Sequence, residues 1–154
     1  MPAAAASACE SVGSPSAASA HRHARAVRCE LNQERARHGL GALRHDESLA
    51  LAARRFSGAM VRQGFFDHVS PDGSTLGRRL REAGVQMAGG VGETIGWGSG
   101  SQARPAAIVA AWMASPPHRA IVLDGRFDAV GLGVAPGSPV GAGGAATVTA
   151  NFAG

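Results

Sequence analysis

The chain has 154 residues, of which 45% are hydrophobic, and this is enough for one packed domain. The sequence has no run of about 18 apolar residues, so it predicts no membrane-spanning helix. All 15 basic residues are arginine, and the formal net charge is +4 at pH 7. The arginines are scattered among acidic neighbours, and the aromatic residues do not alternate with them. This pattern disfavours a nucleic-acid partner.

Small residues dominate residues 1–20. This stretch lacks the positive start and the apolar core of 7–15 residues that define a complete signal peptide. Its alanine-rich start resembles the end of a signal, and Ala6-Ser7-Ala8-Cys9 faintly resembles a lipid-attachment site. We therefore predict a flexible arm or signal remnant over 1–20 and one folded domain over 21–154.

The two cysteines, Cys9 and Cys29, have a spacing that matches no zinc motif. They are either two unrelated buried thiols or one disulfide between the arm and the first helix. We favour the disulfide, which would close a loop of roughly 20 residues and stabilise the fold by about 3 kcal/mol. Such bonds persist in oxidising compartments, so the pair favours a secreted or extracytoplasmic location.

Four helices are predicted. The first covers 23–38, and the second begins after the capping residue Asp46 and ends at Gly64. A third covers 75–82, and a fourth covers 105–114 with proline in its first turn. The second helix has an apolar stripe at steps of three and four residues, formed by Leu49, Ala52, Ala53, Phe56 and Met60.

Strands are predicted at 91–95, 127–135 and 146–152, and a glycine- and serine-rich loop is predicted at 96–101. The two prolines that follow Ser115 must stop the fourth helix. Helices come first and most strands come last. The fold class is therefore α+β, with helices packed on a small antiparallel sheet.

Three polar residues stand out because of their surroundings. His68 and His118 each follow a segment with aromatic residues and lie beside a turn, and Glu93 lies within an otherwise apolar strand. A buried acid is costly unless it is paired, and imidazoles are natural partners. Histidine and glutamate also bind divalent metals. The alternative is a polar network that locks three loops together. The other histidines are expected to be solvated, namely His21, His23, His38 and His45.

Five blocks follow one another along the chain: LNQER at 31–35, FFDHVSPDG at 65–73, Arg79 with AG at 83–84 and GE at 92–93, WMASPPHR at 112–119, and VGLGV at 130–134. In this order, over about 24–154, they resemble the bacterial branch of the CAP superfamily of cysteine-rich secretory, antigen 5 and pathogenesis-related 1 proteins. The resemblance implies an α-β-α sandwich.

In that family, two histidines and two acids face a shared cleft, and some members hold zinc or another divalent cation there. The resemblance places His68, Glu93 and His118 at three of these positions. The position of the fourth acid falls on Ser115, which is uncharged and a poor metal ligand. The implied ligand set for zinc or another divalent cation is therefore His68, His118 and Glu93, with Ser115 beside it in the cleft.

Three functions are compatible with such a cleft. The first is a secreted, monomeric binding module for a small or lipid-like ligand, because some relatives are implicated in lipid export. The second is a weak hydrolase that uses Glu93 as a base, or Ser115 or Ser70 as a nucleophile. No HExxH or GxSxG motif supports a hydrolase. The third is a structural or interaction protein, in which the polar set only stabilises the fold.

Overall fold

The computed structural model describes residues 8–154, so the start of the arm lies outside the described residues, together with Ala6 and Ser7 of the sequence that resembles a lipid-attachment site. The regular elements, in chain order, are α1 (Ala20–Arg37), β1 (Arg44–His45), α2 (Glu47–Gln63), α3 (Leu76–Glu82), β2 (Val91–Ser99), a 3₁₀ turn (Gly100–Ala103), α4 (Pro105–Ala114), α5 (Pro116–Val122), β3 (Ala129–Pro136) and β4 (Ala145–Ala153).

The four strands form one sheet in the order β1-β3-β4-β2. β4 is antiparallel to both of its neighbours, whereas β1 pairs in parallel with β3 through Arg44 and His45. The sheet is therefore mixed, and the prediction of a purely antiparallel sheet was wrong in this detail. A two-residue strand is too short to show an alternating pattern in the sequence.

Helices cover both faces of the sheet. α1, α4 and α5 share the larger apolar core with β3 and β4, and α2 and α3 pack on the opposite face. Successive residues of each central strand face the two helical layers alternately, because neighbouring side chains of a strand point to opposite faces of the sheet. The predicted α+β class and the three-layer α-β-α arrangement are confirmed.

The predicted helices are present with small shifts at their ends. The Asp46 side chain accepts a hydrogen bond from the Leu49 backbone N–H at 2.9 Å, and Gly64 ends α2 in the left-handed conformation at φ 69°. α1 begins three residues earlier than predicted, at Ala20, and Thr75 is the cap of α3 rather than its first residue.

Two segments differ from the prediction after residue 95. The expected loop at 96–101 is wrong because β2 continues to Ser99. Gly96 and Gly98 are required here by close packing, since a Cβ atom at Gly98 would lie 2.2 Å from the Gln102 carbonyl oxygen. α5 was also missed. Pro116 and Pro117 stop α4 as predicted, but they then form the first turn of a new helix.

The backbone of α2 lies directly on β3. A Cβ atom at Gly131 would lie 2.0 Å from the Ala50 nitrogen, and one at Gly133 would lie 2.1 Å from the Ala53 carbonyl carbon. The hydroxyl of Ser57, which is fully buried on the same face of α2, donates a hydrogen bond to the Gly133 carbonyl at 2.9 Å. Two glycines and one small hydroxyl therefore fix the position of α2 on the sheet.

The segment 8–19 has no helix or strand, but it is attached to the domain at several points. The predicted disulfide between Cys9 and Cys29 is present and joins this segment to α1. The Ser14 hydroxyl donates to the Gly144 carbonyl at 2.7 Å, and Glu10 pairs with Arg22. No helix within residues 8–154 is long and apolar enough to cross a membrane.

We expect Gly133→Ala to lower the free energy of unfolding by about 1–3 kcal/mol or more, because the new methyl group overlaps the α2 backbone. Urea denaturation monitored by circular dichroism measures this change. Gly143→Ala is the matched control, since a Cβ atom there has no neighbour within 4 Å. Equal stability of the two variants would contradict the proposed close contact.

Candidate functional site

The candidate site is built around the carboxylate of Glu93 on β2, which is an edge strand of the sheet. The side chain is 2% exposed. One of its oxygens, Oε1, accepts a hydrogen bond from His68 Nδ1 at 2.8 Å, and the other, Oε2, accepts one from Arg79 Nη2 at 2.7 Å. Both oxygens therefore have a positively charged or proton-donating partner, which offsets the cost of burying the charge.

Arg79, in the middle of α3, connects the parts of the site. Its Nη1 atom donates to the carbonyl oxygens of His68 at 2.9 Å and Ser74 at 3.1 Å. Its guanidinium carbon lies 3.5 Å from the centre of the Phe56 ring, within the range of a cation–π interaction. One side chain thus joins α3 to β2, to α2 and to the loop that carries His68.

Arg79 is the functional residue that the sequence interpretation did not identify, although it lies in one of the segments that resemble the CAP family. The sequence does give a reason to expect some partner for Glu93, because a buried acid requires one. The sequence favours histidine as that partner, because two histidines lie next to turns. An arginine on a short helix with two other arginines gives no sign of which one points inwards.

The imidazole of His68 is fixed at one nitrogen and open at the other. A carboxylate can only accept, so Nδ1 carries the proton of the hydrogen bond to Glu93. The hydrogen bond to Glu93 raises the pKa of His68, against an opposing effect of burial. The side chain is 49% exposed, so Nε2 is the nitrogen available for a proton or a ligand.

His118 is the third residue of α5, which packs against β2. Burial lowers its pKa, and the charge of His68 lowers it further. The pKa values of the two imidazoles are therefore shifted in opposite directions. His68 favours the protonated form, whereas His118 favours the neutral form.

The two serines that were considered as nucleophiles lack the necessary partner. Ser70 Oγ donates to the carboxylate of Asp72 rather than to a histidine. Ser115 precedes α5, and its side chain forms no capping hydrogen bond. Within residues 8–154, neither hydroxyl forms a hydrogen bond with a histidine, so the arrangement that activates a serine nucleophile is not formed.

The imidazoles of His68 and His118 are the candidate ligands for a divalent cation. In the described part of the chain, no group of three or more His, Cys, Asp or Glu side chains is placed to hold a metal ion. Glu93 is engaged through both oxygens and is buried, so it supports His68 instead of acting as a third ligand. The predicted three-residue ligand set is therefore not assembled in this arrangement.

The remaining histidines divide into two groups. His21, His38 and His45 are exposed, as expected. The expectation was wrong for His23, which is 1% exposed and whose Nε2 donates to the Ala103 carbonyl at 2.7 Å. Burial lowers the pKa of His23. It is a core residue that joins α1 to the turn before α4.

Comparisons with known proteins agree with this architecture. The model of the cysteine-rich secretory protein (CAP) family matches residues 30–152. YkwD of Bacillus subtilis (strain 168) is 35% identical over 102 residues, which cover 66% of this chain and 38% of YkwD. This chain therefore spans well under half of that relative.

Solved structures show the same fold. A Bacillus anthracis extracellular protein containing an SCP domain superposes with a TM-score of 0.77 and 26% identity, over 92% of this chain and 45% of that one. An outer surface protein of Borrelia burgdorferi superposes with a TM-score of 0.72 over 85% of this chain and 91% of that one. Its identity of 18% supports a shared fold alone.

Replacing Arg79 with methionine is expected to lower the free energy of unfolding by about 3–5 kcal/mol, because Glu93 would keep a buried charge without its cationic partner. Chemical denaturation measures the loss. The control is Arg78→Met, which removes a neighbouring exposed arginine whose ion pair within residues 8–154 is with Glu82. We expect that variant to stay within about 0.5 kcal/mol of the wild type. Similar losses in both variants would show that Arg79 has no special role.

The raised pKa of His68 predicts a pH-dependent contribution to stability. This contribution is fully present below the unfolded pKa of about 6.5 and is lost as the pH rises through the folded pKa. Since the ring is half exposed, we expect less than about 1 kcal/mol. The measurement is the difference in unfolding free energy between wild type and His68→Asn from pH 5.5 to 8. The asparagine amide would keep a donor for Glu93 without titrating. A difference that grows with pH contradicts the assignment.

Proposed function

The chain belongs to the cysteine-rich secretory protein (CAP) family, and on this basis we propose that it is an extracytoplasmic binding domain. Its ligand-binding groups would be the imidazoles of His68 and His118. The ligand would be a divalent cation such as zinc, together with a small or lipid-like molecule beside it.

Two features support an extracytoplasmic location. The similar structures are described as an extracellular protein and an outer surface protein. The disulfide between Cys9 and Cys29 is of the kind that persists outside the reducing cytosol. Because the chain spans only part of its longer relatives, the function proposed here is that of the domain.

The observation that carries the proposal is the hydrogen bond from His68 Nδ1 to Glu93 Oε1 at 2.8 Å. Histidines that bind metals usually donate their other ring nitrogen to a carboxylate or carbonyl group, which fixes the tautomer and the ring orientation. Glu93 does this for His68 and leaves Nε2 as the ligating atom. The lowered pKa of His118 keeps the second imidazole neutral, as ligation requires.

Two protein ligands would leave further coordination positions open. A bound divalent cation would supply Lewis-acid attraction for an oxygen or nitrogen atom of a ligand. Two apolar side chains next to His68 in the chain are accessible, since Phe66 and Val69 are each 46% exposed. Exposed apolar side chains beside a polar cleft are typical of binding sites, and they favour a ligand with a non-polar part.

A second candidate is a structural role, favoured by the hydrogen bonds of Arg79. The guanidinium joins β2 to the segment 68–74, so the site stabilises the fold whether or not it binds anything. The two functions differ in one respect. A purely structural site requires Arg79 and Glu93 but does not require His118.

We expect zinc titrated into the protein at pH 8 to bind weakly and reversibly by calorimetry. His118→Ala should abolish the heat, and Glu93→Gln should weaken binding by about 10- to 100-fold by releasing His68. Lowering the pH to 6 should weaken binding too, because a proton then competes for Nε2 of His68.

His45→Asn is the matched control, since His45 is an exposed histidine paired with a glutamate on another part of the molecule. It should bind zinc like the wild type. No heat at millimolar zinc, or unchanged binding in His118→Ala, would reject the two-imidazole site and leave the structural role.

A further inference from the structure

A small cavity of about 190 Å³ lies between α2 and α3, next to residues 70–74 of the segment that joins these helices. Among residues 8–154, its lining includes neither of the two imidazoles and does not include Glu93. Arg79 lines the cavity and also binds Glu93. The cavity is therefore a neighbour of the candidate site, with a different set of polar groups.

The lining of this cavity contains two charges of opposite sign that have no ion-pair partner. Arg55 of α2 is exposed and forms no ion pair within residues 8–154. Asp72 accepts hydrogen bonds from the Ser70 hydroxyl and the Ser74 backbone N–H, but it has no ion pair in the same part of the chain either. Arg55 and Asp72 are thus too far apart to pair with each other, although they line the same cavity.

The other charged groups of the lining are neutralised by neighbours. Glu82 pairs with Arg78 at 3.0 Å, and Arg79 pairs with Glu93 at 2.7 Å. The hydrogen bond from Ser70 lowers the pKa of Asp72, so its carboxylate is charged at neutral pH. One guanidinium group and one carboxylate therefore remain available to a ligand.

The cavity also has a hydrogen-bond donor without an acceptor. The side chain of Arg79 is 10% exposed, and its Nε atom is buried without a hydrogen-bond partner among residues 8–154. A buried donor that lacks an acceptor is costly. An oxygen atom of a ligand that reached Nε would remove this cost.

The remaining part of the lining is apolar and belongs to one face of α2. Ala52, Phe56 and Ala59 follow one another at steps of four and three residues, which places them on the same side of the helix. A small non-polar group that packs on this face would be removed from water.

We propose that this cavity binds a free α-amino acid with a small or medium-sized apolar side chain. The carboxylate of the ligand would bind Arg55, and its ammonium group would bind Asp72. A guanidinium group binds a planar carboxylate through two parallel hydrogen bonds. The volume is below the range of sites for drug-sized ligands, about 300–1,000 Å³, which favours a molecule as small as a single amino acid.

The test is a titration with L-leucine at pH 6.5, in the presence of EDTA, followed by the backbone amide resonances of Ser70 and Ser74 in NMR spectra. At this pH the ammonium group of the ligand is charged. We expect saturable binding of L-leucine. Leucinamide lacks the carboxylate and N-acetyl-leucine lacks the ammonium group, so each should bind about fivefold more weakly or worse. Glucose, a neutral molecule with many hydroxyl groups, should not bind.

Two variants connect each charge of the ligand to one residue. Arg55→Gln should weaken the binding of L-leucine by about fivefold and should bind leucine and leucinamide equally, because the partner of the carboxylate is gone. Asp72→Asn should likewise bind leucine and N-acetyl-leucine equally. Arg62→Gln is the matched control, since Arg62 is an exposed arginine of α2 that does not line the cavity. It should bind L-leucine like the wild type.

Three results would overturn the proposal: no saturable binding of L-leucine, equal binding of leucine, leucinamide and N-acetyl-leucine to the wild type, or equal loss in Arg55→Gln and Arg62→Gln. Binding of glucose without binding of leucine falls under the first of these. The titrations contain no free zinc and change neither His68 nor His118. Failure here therefore leaves the two-imidazole site untouched, and the converse also holds.

Discussion

The contact between α2 and β3 determines where the functional groups of this domain can lie. At Gly131 and Gly133 the helix backbone approaches the strand more closely than any side chain would allow. This contact fixes the position of Phe56, whose ring lies under the guanidinium of Arg79. It also fixes the end of α2 at Gly64, from which the chain turns into the segment that carries the first imidazole. The lack of side chains at Gly131 and Gly133 of β3 thus controls the geometry of a site on β2.

The second constraint is the negative charge of Glu93 beneath the surface at the sheet edge. A buried carboxylate is stable only if its partners come with it, and here they come from α3 and from the segment after α2. The pKa values of the two histidines shift in opposite directions, because the hydrogen bond to Glu93 raises the pKa of His68, whereas burial and then the charge of His68 lower the pKa of His118. The electrostatics of the buried acid therefore make the two imidazoles chemically unequal.

The fold was largely predictable because its main signals are local. The Asp46 cap, the apolar stripe of α2 and the Gly64 terminus are all readable from the order of residues, and they were confirmed. The predictions were wrong at positions where tertiary packing determines the local structure. Gly96 and Gly98 have the composition of a loop but lie in a strand, because Trp112 and Gln102 need the space. The sequence likewise draws attention to two histidines and Glu93. It does not show that Arg79 binds one of the two carboxylate oxygens of Glu93. His23 was missed for the same reason, since its burial depends on the turn before α4.

The architecture also explains why polar chemistry appears at the two edges of the sheet. Helices cover both faces of the central strands, and β4 is buried along its whole length, so a ligand has no access there. At the β2 edge, the helical layers from both faces meet around a buried acid and two imidazoles. At the other edge, β1 is only two residues long, and the gap beyond it is bordered by alanines and arginines. The first edge combines a buried carboxylate with imidazole and guanidinium groups, whereas the second combines arginines with apolar surface. A single small domain can therefore present two chemically distinct surfaces because β4 and its helical cover keep them apart.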